Sequence, residues 1–235
     1  MRNLILITGV LAVIIVSGQT GSGSMMTSGY VNFFRSGYAQ GNEVLPDTKY
    51  NYMNLNGGIN VGYFVVSGLA LGLQYDVRYN MQQSKQWGNS TETKDVRTTV
   101  DNIPGIFARY YLIPPPSKVG LFLNLGAGYL VRKGQDAITT EPRFTPDPPP
   151  METRGSGYNI NLSPGLVYFI KPTIGIEARL GSVGYSSVYS EDRISGQKIY
   201  HRQENYFTAD FGISSIFLGA SVYFGEKHKD ESREK

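Results

Sequence analysis

Apolar and polar residues alternate at every second position through most of the chain, and this period of two is the feature that most limits its fold. In residues 53–65, Met, Leu, Ile, Val and Tyr occupy most odd positions, whereas Asn and Gly fill most even ones. Residues 69–81 alternate more sharply, with leucines at 69, 71 and 73. Successive side chains of a β-strand point to opposite faces, and sustained helical spacing of 3.6 residues is absent. The chain is therefore predicted to be all-β.

Eight segments carry this alternation and are predicted to be strands. They lie at about residues 28–38, 52–65, 69–81, 106–112, 121–132, 158–170, 174–181 and 206–224. The last segment changes phase near Ser214 and Ser215, which predicts a bulge there. The segments 52–65 and 69–81 are joined by a connection of hairpin length that contains Ser67 and Gly68.

The connections alternate between short and long. The short ones are residues 67–68, 113–119 and 171–173, and the long polar ones are 39–49, 82–96, 133–156 and 188–204. Short turns at one end and long loops at the other are typical of bacterial outer-membrane barrels. The sequence therefore predicts an eight-stranded antiparallel up-and-down transmembrane β-barrel, with both termini on the periplasmic side.

The smaller, more polar face of each strand is predicted to line the interior. An eight-stranded barrel has only enough room for its own side chains, so Gly and Asn fit inside it, and the aliphatic face then contacts lipid. The predicted interior cluster, with a structural role, is Asp76, Arg78, Arg109, Glu177 and Arg179. The predicted interfacial aromatic girdles are Tyr50, Tyr52, Tyr63, Tyr79, Tyr110, Tyr111, Tyr129, Tyr158, Tyr168, Tyr223 and Phe224. The alternative is a soluble barrel with the aliphatic face inside, which would carry an apolar ligand.

The two ends of the chain differ from the barrel region. Residues 1–18 have an apolar run after Arg2 and are predicted to be a removed signal peptide. Residues 19–27 form an N-terminal segment, 28–224 the barrel, and 225–235 a charged periplasmic tail. The chain contains no cysteine, which excludes a lipoprotein anchor, disulfides and thiolate metal sites.

Three stretches resemble the outer-membrane β-barrel domain family of small, porin-like, OmpA-type proteins: IPGIFARYY at 103–111, SPGLVYFI at 163–170 and IEARLG at 176–181. The resemblance covers about residues 28–224. The closing GASVYF at 219–224 is similar to the signal that the barrel assembly machinery reads, although Phe217 replaces a usual polar residue and eleven residues follow Phe224. The resemblance implies a place in the outer membrane of a Gram-negative cell envelope, with outer-membrane lipid and that machinery as partners.

The residues that could support chemistry are few. Ser195, His201, Glu191, Asp192 and Glu204 share the last long loop and would suit a lipid-modifying enzyme, but no rigid element fixes them. His201 and His228 are the only histidines and lie far apart, so no metal site or other cofactor is predicted. The proline-rich residues 142–150 are either a partner-binding loop or a solvated one.

These patterns predict a non-enzymatic integral outer-membrane protein. Its role is envelope-structural or the binding of an unknown extracellular partner through its loops, with at most a small conductance. The alternatives are an outer-membrane lipid-modifying enzyme acting through His201 and a narrow porin. The net charge of +3 has no basic run beside an aromatic platform, so no nucleic acid is expected.

Overall fold

The computed structural model describes residues 20–41, 48–88, 91–113, 118–141 and 146–225, which are almost wholly antiparallel β. The predicted signal peptide, the tail beyond residue 225 and residues 142–145 of the proline-rich loop lie outside the described residues. No helix in the described part of the chain is long and apolar enough to cross a membrane. The strands are β1 (Met25–Gln40), β2 (Thr48–Val66), β3 (Leu69–Gly88), β4 (Thr91–Ile113), β5 (Val119–Glu141), β6 (Met151–Lys171), β7 (Ile174–Leu180), β8 (Ser182–Ile194), β9 (Gln197–Asp210) and β10 (Ile216–Phe224).

These ten segments form eight barrel strands. Both β7 and β8 pair with β6, so together they make one barrel strand, and β9 and β10 make the next. β1 pairs with β2 on one side and with β10 on the other, where Met25 stands opposite Phe224. All pairs are antiparallel, and the ring closes between the first and last strands. The predicted eight-stranded up-and-down barrel is confirmed.

Two interruptions change the phase of the wall. Gly181 has a φ of +79° between β7 and β8, a left-handed conformation that glycine adopts without strain. Between β9 and β10 lies a short 3-10 turn, Ile213–Ser215. The phase change near Ser214 is thus confirmed, but it is a break in the strand and not a one-residue bulge.

The predicted long loops are wrong in most of their length, because the strands continue through them. β3 reaches Gly88 and β4 begins at Thr91, while β8 and β9 are joined by Ser195 and Gly196 alone. The connection from β5 to β6, between Glu141 and Met151, keeps a loop of length, and most of the predicted loop 39–49 lies outside the described residues. Beyond the apolar band both faces of a strand can be polar, so the alternation disappears although the backbone ladder continues.

The aliphatic face lies outside, so the alternative with an apolar interior is wrong. Exposed outward side chains include Leu73, Ile106, Leu125, Ile160 and Leu218. We call the end that holds Met25 and Phe224 the terminal end and the opposite end the distal end. Side chains that fill the interior at the terminal end are Met26, Phe64, Ala70, Tyr111, Phe122, Val167, Phe169 and Tyr223.

This aromatic layer corrects two sequence expectations. The interior is not polar throughout, and Tyr111 and Tyr223 are fully buried inside the barrel instead of standing in an interfacial girdle. The reason is that Tyr110 and Tyr111 are adjacent, as are Tyr223 and Phe224, so only one of each pair can face outward. Tyr110 is the outward one of its pair, since about half of it is exposed.

Candidate binding site in the barrel interior

A buried ion pair lies directly beyond the aromatic layer. Nη1 of Arg109 on β4 is 2.6 Å from Oε1 of Glu177 on β7, and neither side chain reaches solvent. Arg109 also donates from Nε to Oδ1 of Asn124 at 3.2 Å and from Nη2 to Oγ of Ser28 at 3.3 Å. Its guanidinium stands 4.3 Å from the centre of the Phe122 ring. These contacts fix the arginine across the width of the barrel.

The aromatic layer and the ion pair are joined by hydrogen bonds. The hydroxyl of Tyr111 accepts from Nη1 of Arg109 at 3.4 Å and lies 2.7 Å from the hydroxyl of Tyr223. Ser221 donates to the same Tyr223 oxygen at 3.2 Å. The polar tips of two inward tyrosines therefore face the charged layer, while their rings pack in the apolar layer. The terminal half of the barrel is closed by this double layer.

A second charged layer lies on the distal side of the first. The hydroxyl of Tyr30 donates to Oδ1 of Asp76, and Nε2 of Gln74 is 3.5 Å from Oδ2 of the same carboxylate. The Arg179 guanidinium stacks 3.8 Å from the centre of the Tyr30 ring, and its Nη2 lies 2.8 Å from the Asn60 side-chain oxygen once that amide is oriented to accept it. Tyr30 thus contacts both an acidic residue of the cluster, Asp76, and a basic one, Arg179.

Arg78 follows Asp76 by two residues on β3 and lies closer to the distal end. Its Nη2 donates to Oδ1 of Asn159 at 3.1 Å. Within the described part of the chain, no carboxylate oxygen lies within 4.0 Å of the charged nitrogens of Arg78 or Arg179. All five residues of the predicted cluster are therefore inside the barrel, but only Arg109 and Glu177 form an ion pair. That the cluster is purely structural stays a prediction.

A cavity of about 390 Å³ occupies the barrel beyond these layers. Its lining is mostly polar and includes Asp76, Arg78, Asp101, Arg132, Arg179 and Asp210. Arg132 binds Asp101 with two hydrogen bonds of 2.8 and 2.9 Å. The sequence reasoning missed Asp101, Arg132 and Asp210. The first two could have been found, because each shares the parity of an inward residue on its own strand, Arg109 and Asn124 respectively.

The distal mouth holds a second cavity, of about 450 Å³, with an aromatic wall. Tyr38 and Tyr50 stack there with ring centres 4.7 Å apart, and Tyr52, Asp95 and Arg97 complete the wall. Tyr50 and Tyr52 were expected in an interfacial girdle, and this is wrong, because both line the inner mouth. The carboxylate of Asp95 is partly desolvated and faces a second acid, Asp136, so its pKa is raised above the ordinary value.

The candidate catalytic set on β8 and β9 is not assembled. His201 lies against the rings of Tyr189 and Tyr200, with ring centres 6.2 and 6.5 Å away. No hydrogen bond or ion pair joins His201 to Ser195 or to an acid within the described ranges. Its cross-strand neighbour Glu191 instead accepts from Lys198, which holds the pKa of that carboxyl below its usual range. No cluster of three metal-ligating acids or histidines occurs in the described part of the chain.

One part of the barrel wall is open. β1 pairs with β10 only from Met25 to Val31, and residues 32–40 of β1 pair with β2 alone. β9 pairs with β8 alone. A gap therefore separates the distal half of β1 from β9. The Asn32 side chain lies at its lower end and donates to the backbone oxygens of Ser214 and Ile216 at 2.8 and 2.7 Å.

No protein-family model and no curated protein sequence matches the chain. Among solved structures, the outer membrane protein OprG from Pseudomonas aeruginosa is 12% identical, with a TM-score of 0.43 over 89% of this chain and 99% of that one. The N-terminal β-barrel domain of OprF from the same organism is 12% identical, with a TM-score of 0.39 over 87% and 99%. Neisserial surface protein A is 14% identical, with a TM-score of 0.34 over 86% and 97%. The fold described above stands on the strand pairing of this chain.

Proposed function

We propose that the protein is an integral outer-membrane barrel that binds a ligand or partner through its distal half and neither catalyses a reaction nor conducts solutes in bulk. The observation that carries this proposal is the unequal filling of the interior. The terminal half is closed by the aromatic layer and the Arg109–Glu177 pair, whereas the distal half holds two cavities. A barrel closed at one end and open at the other can bind a molecule without passing it through.

The membrane location is supported by the two faces of the wall. Large aliphatic and aromatic side chains are exposed around the outside, and charged and amide side chains are buried inside. In water this distribution would expose far more apolar surface than a soluble protein tolerates. In a bilayer it is the stable one, because the ring of strands pairs its backbone groups internally except along β9 and residues 32–40 of β1. Outer-membrane lipid and the barrel assembly machinery are the expected partners.

The proposed orientation has the terminal end in the periplasm and the distal end outside the cell. Both chain ends of the barrel, Met25 and Phe224, stand together at the terminal end, where the turns at 67–68 and 172–173 are short. The strands rise furthest at the other end, where the β8–β9 hairpin and the β5–β6 connection lie. We also propose that the protein is a member of the OmpA-type family and has no enzymatic activity.

The test is conductance of the purified, refolded protein in a planar bilayer, with electrophoresis of boiled and unboiled samples to show that the barrel is closed. We expect a heat-dependent shift of the band and no sustained conductance steps. A standard porin added to the same bilayer shows that insertion and detection work. The double variant Arg109→Ala with Glu177→Ala removes the charged layer but keeps the aromatic layer, so it should likewise give no sustained steps. Sustained steps from the unmodified protein would overturn the proposal and favour a narrow porin.

Enzymatic activity is tested in the same preparation with outer-membrane lipids. The proposal expects no acyl product from the unmodified protein or from the His201→Ala variant. A lipid-acyl product that disappears on His201→Ala would overturn the proposal and favour the lipid-modifying enzyme.

A further inference from the structure

The gap between β1 and β9 lies beside the apolar exterior of the barrel. Phe33 on β1, Phe207 on β9 and Ile213 in the 3-10 turn are 62%, 74% and 90% exposed, and all flank the gap. Residues 32–40 of β1 and the whole of β9 present edge backbone groups with no strand partner across it. Unpaired backbone groups raise the free energy where water is scarce. A gap beside the apolar exterior therefore favours an occupant that carries both apolar and hydrogen-bonding groups.

The gap borders the 390 Å³ cavity on its β9 side. Three residues of β9, Tyr206, Thr208 and Asp210, line that cavity together with Phe217 of β10 and Tyr30 of β1. The strands that border the gap therefore also form one wall of the cavity. A group that passed between β1 and β9 would enter the cavity without crossing the terminal layers or the distal mouth.

The lining of the cavity includes two cations with unused binding capacity. Arg179 is 95% buried, and its Nε has no hydrogen-bond partner. Arg78 binds only the Asn159 amide oxygen among the described side chains. The acids of the cavity are engaged elsewhere: Asp76 accepts from Tyr30, and Asp101 binds Arg132.

The third acid of the cavity wall is engaged in the same way, since Asp210 accepts from the backbone N–H of Gly212 at 3.1 Å. Three arginines and three aspartates line the cavity, so its formal charges cancel, but the guanidinium groups of Arg179 and Arg78 keep binding capacity to spare. Guanidinium groups in such surroundings bind a carboxylate or phosphate through charge-assisted hydrogen bonds. These two arginines are therefore matched to an anionic group.

We propose that the gap between β1 and β9 is a lateral entrance for a single-chain anionic amphiphile of the outer leaflet, whose head group binds Arg78 and Arg179 while its tail stays in the gap. This rests on the proposed function and names the ligand class of the distal cavity. The cavity volume is at the lower end of ligand pockets, about 300–1,000 Å³, which suits one head group and excludes a lipid with several chains inside the barrel. The exposed aromatic residues at the gap supply the apolar contact for the tail.

The test uses a tryptophan placed in the cavity wall. In a Trp87→Phe background, which removes the chain's only tryptophan, Tyr206→Trp sets a reporter beside the gap. The protein is refolded into phosphatidylcholine vesicles, and a fatty acid brominated along its chain is added. We expect quenching that saturates, an affinity lower by about tenfold to hundredfold in Arg78→Gln, and partial recovery in Arg78→Lys. Arg154→Gln, on an exposed part of β6, is the matched control and should leave the affinity unchanged.

The source of the anion is separated by two further arms. If inorganic phosphate at millimolar concentration changes the fluorescence of the tryptophan reporter while the brominated fatty acid causes no quenching, the cavity is an aqueous anion site and the lateral entrance is overturned. The chain lacks cysteine, so Ser36→Cys and Thr208→Cys allow a flexible thiol cross-linker to bridge β1 and β9. Bridging should slow fatty-acid binding at least about tenfold, whereas unchanged binding would also overturn the entrance.

Failure of this proposal and failure of the proposed function are distinguishable. Absence of quenching with no conductance refutes only the amphiphile and its entrance. Sustained conductance of the unmodified protein refutes the closed binding barrel whatever the quenching shows.

Discussion

The Arg109–Glu177 pair gives the sharpest stability prediction, because its two partners are not equivalent. Glu177→Gln keeps the shape of the side chain but leaves the fully buried Arg109 without a counter-charge. Removing one partner of a buried pair costs about 3–5 kcal/mol. Glu177 also lies within electrostatic reach of Arg179, so its loss leaves Arg109 without a counter-charge and Arg179 with Asp76 alone. We expect Glu177→Gln to lower the free energy of unfolding by about 5 kcal/mol, the upper end of that range.

Arg109→Gln should be milder, at about 3 kcal/mol, because Glu177 still has Arg179 beside it. The double variant Arg109→Met with Glu177→Leu replaces both charges by apolar groups of similar size and should be within about 1 kcal/mol of the unmodified protein. Free energies are measured by urea unfolding in lipid vesicles, followed by the fluorescence of Trp87.

The control for this cycle is Arg97→Gln, which breaks the 2.6 Å pair with Asp136 at the distal rim. Arg97 is about half exposed, so the loss should stay below about 1 kcal/mol. Equal losses for Glu177→Gln and Arg109→Gln would refute the role of Arg179 as a second neighbour. A double variant as unstable as the sum of the two single variants would refute the claim that the pair acts as one unit.

Three further predictions concern the strand break and the distal rim. Gly181→Ala should lower the unfolding free energy by about 1–2 kcal/mol, because its φ is positive and a Cβ would meet the backbone of Asp210; urea unfolding measures this. Asp95→Asn should raise the free energy of unfolding at pH 7, because the raised pKa of this carboxyl means that its charged form is disfavoured in the folded state. This gain should vanish as the pH falls through that pKa, since the native acid then becomes neutral; urea unfolding at several pH values measures it. Glu191 has a lowered pKa, so its stabilising bond from Lys198 is complete above the ordinary carboxyl value of about 4.3 and is lost as the pH falls through the folded value. The protection factors of the β8–β9 turn amides, which are corrected for the intrinsic exchange rate at each pH, should therefore be unchanged from pH 7 to 5 and fall only below that ordinary value.

The sequence determined the strands in the apolar band, the face that each presents and the closed ring. These follow from alternation, which is a local property: the parity of Asn60, Gln74 or Asn124 is fixed by its neighbours along the chain. The same rule applied to Tyr110 and Tyr111 would have placed Tyr111 inside. The error there came from assigning aromatic residues to girdles by type and not by parity.

Only the tertiary structure decided which inward residues meet and where the wall stays open. Arg109 and Glu177 are 68 residues apart, and their contact depends on the stagger of four strands that local patterns do not encode. The length of β3, β4, β8 and β9 was hidden as well, because a backbone ladder needs no apolar alternation once both faces are polar. The gap between β1 and β9 has the same origin: pairing of the first and last strands joins segments that are far apart in the sequence, and it ends where Ile213–Ser215 breaks the last strand.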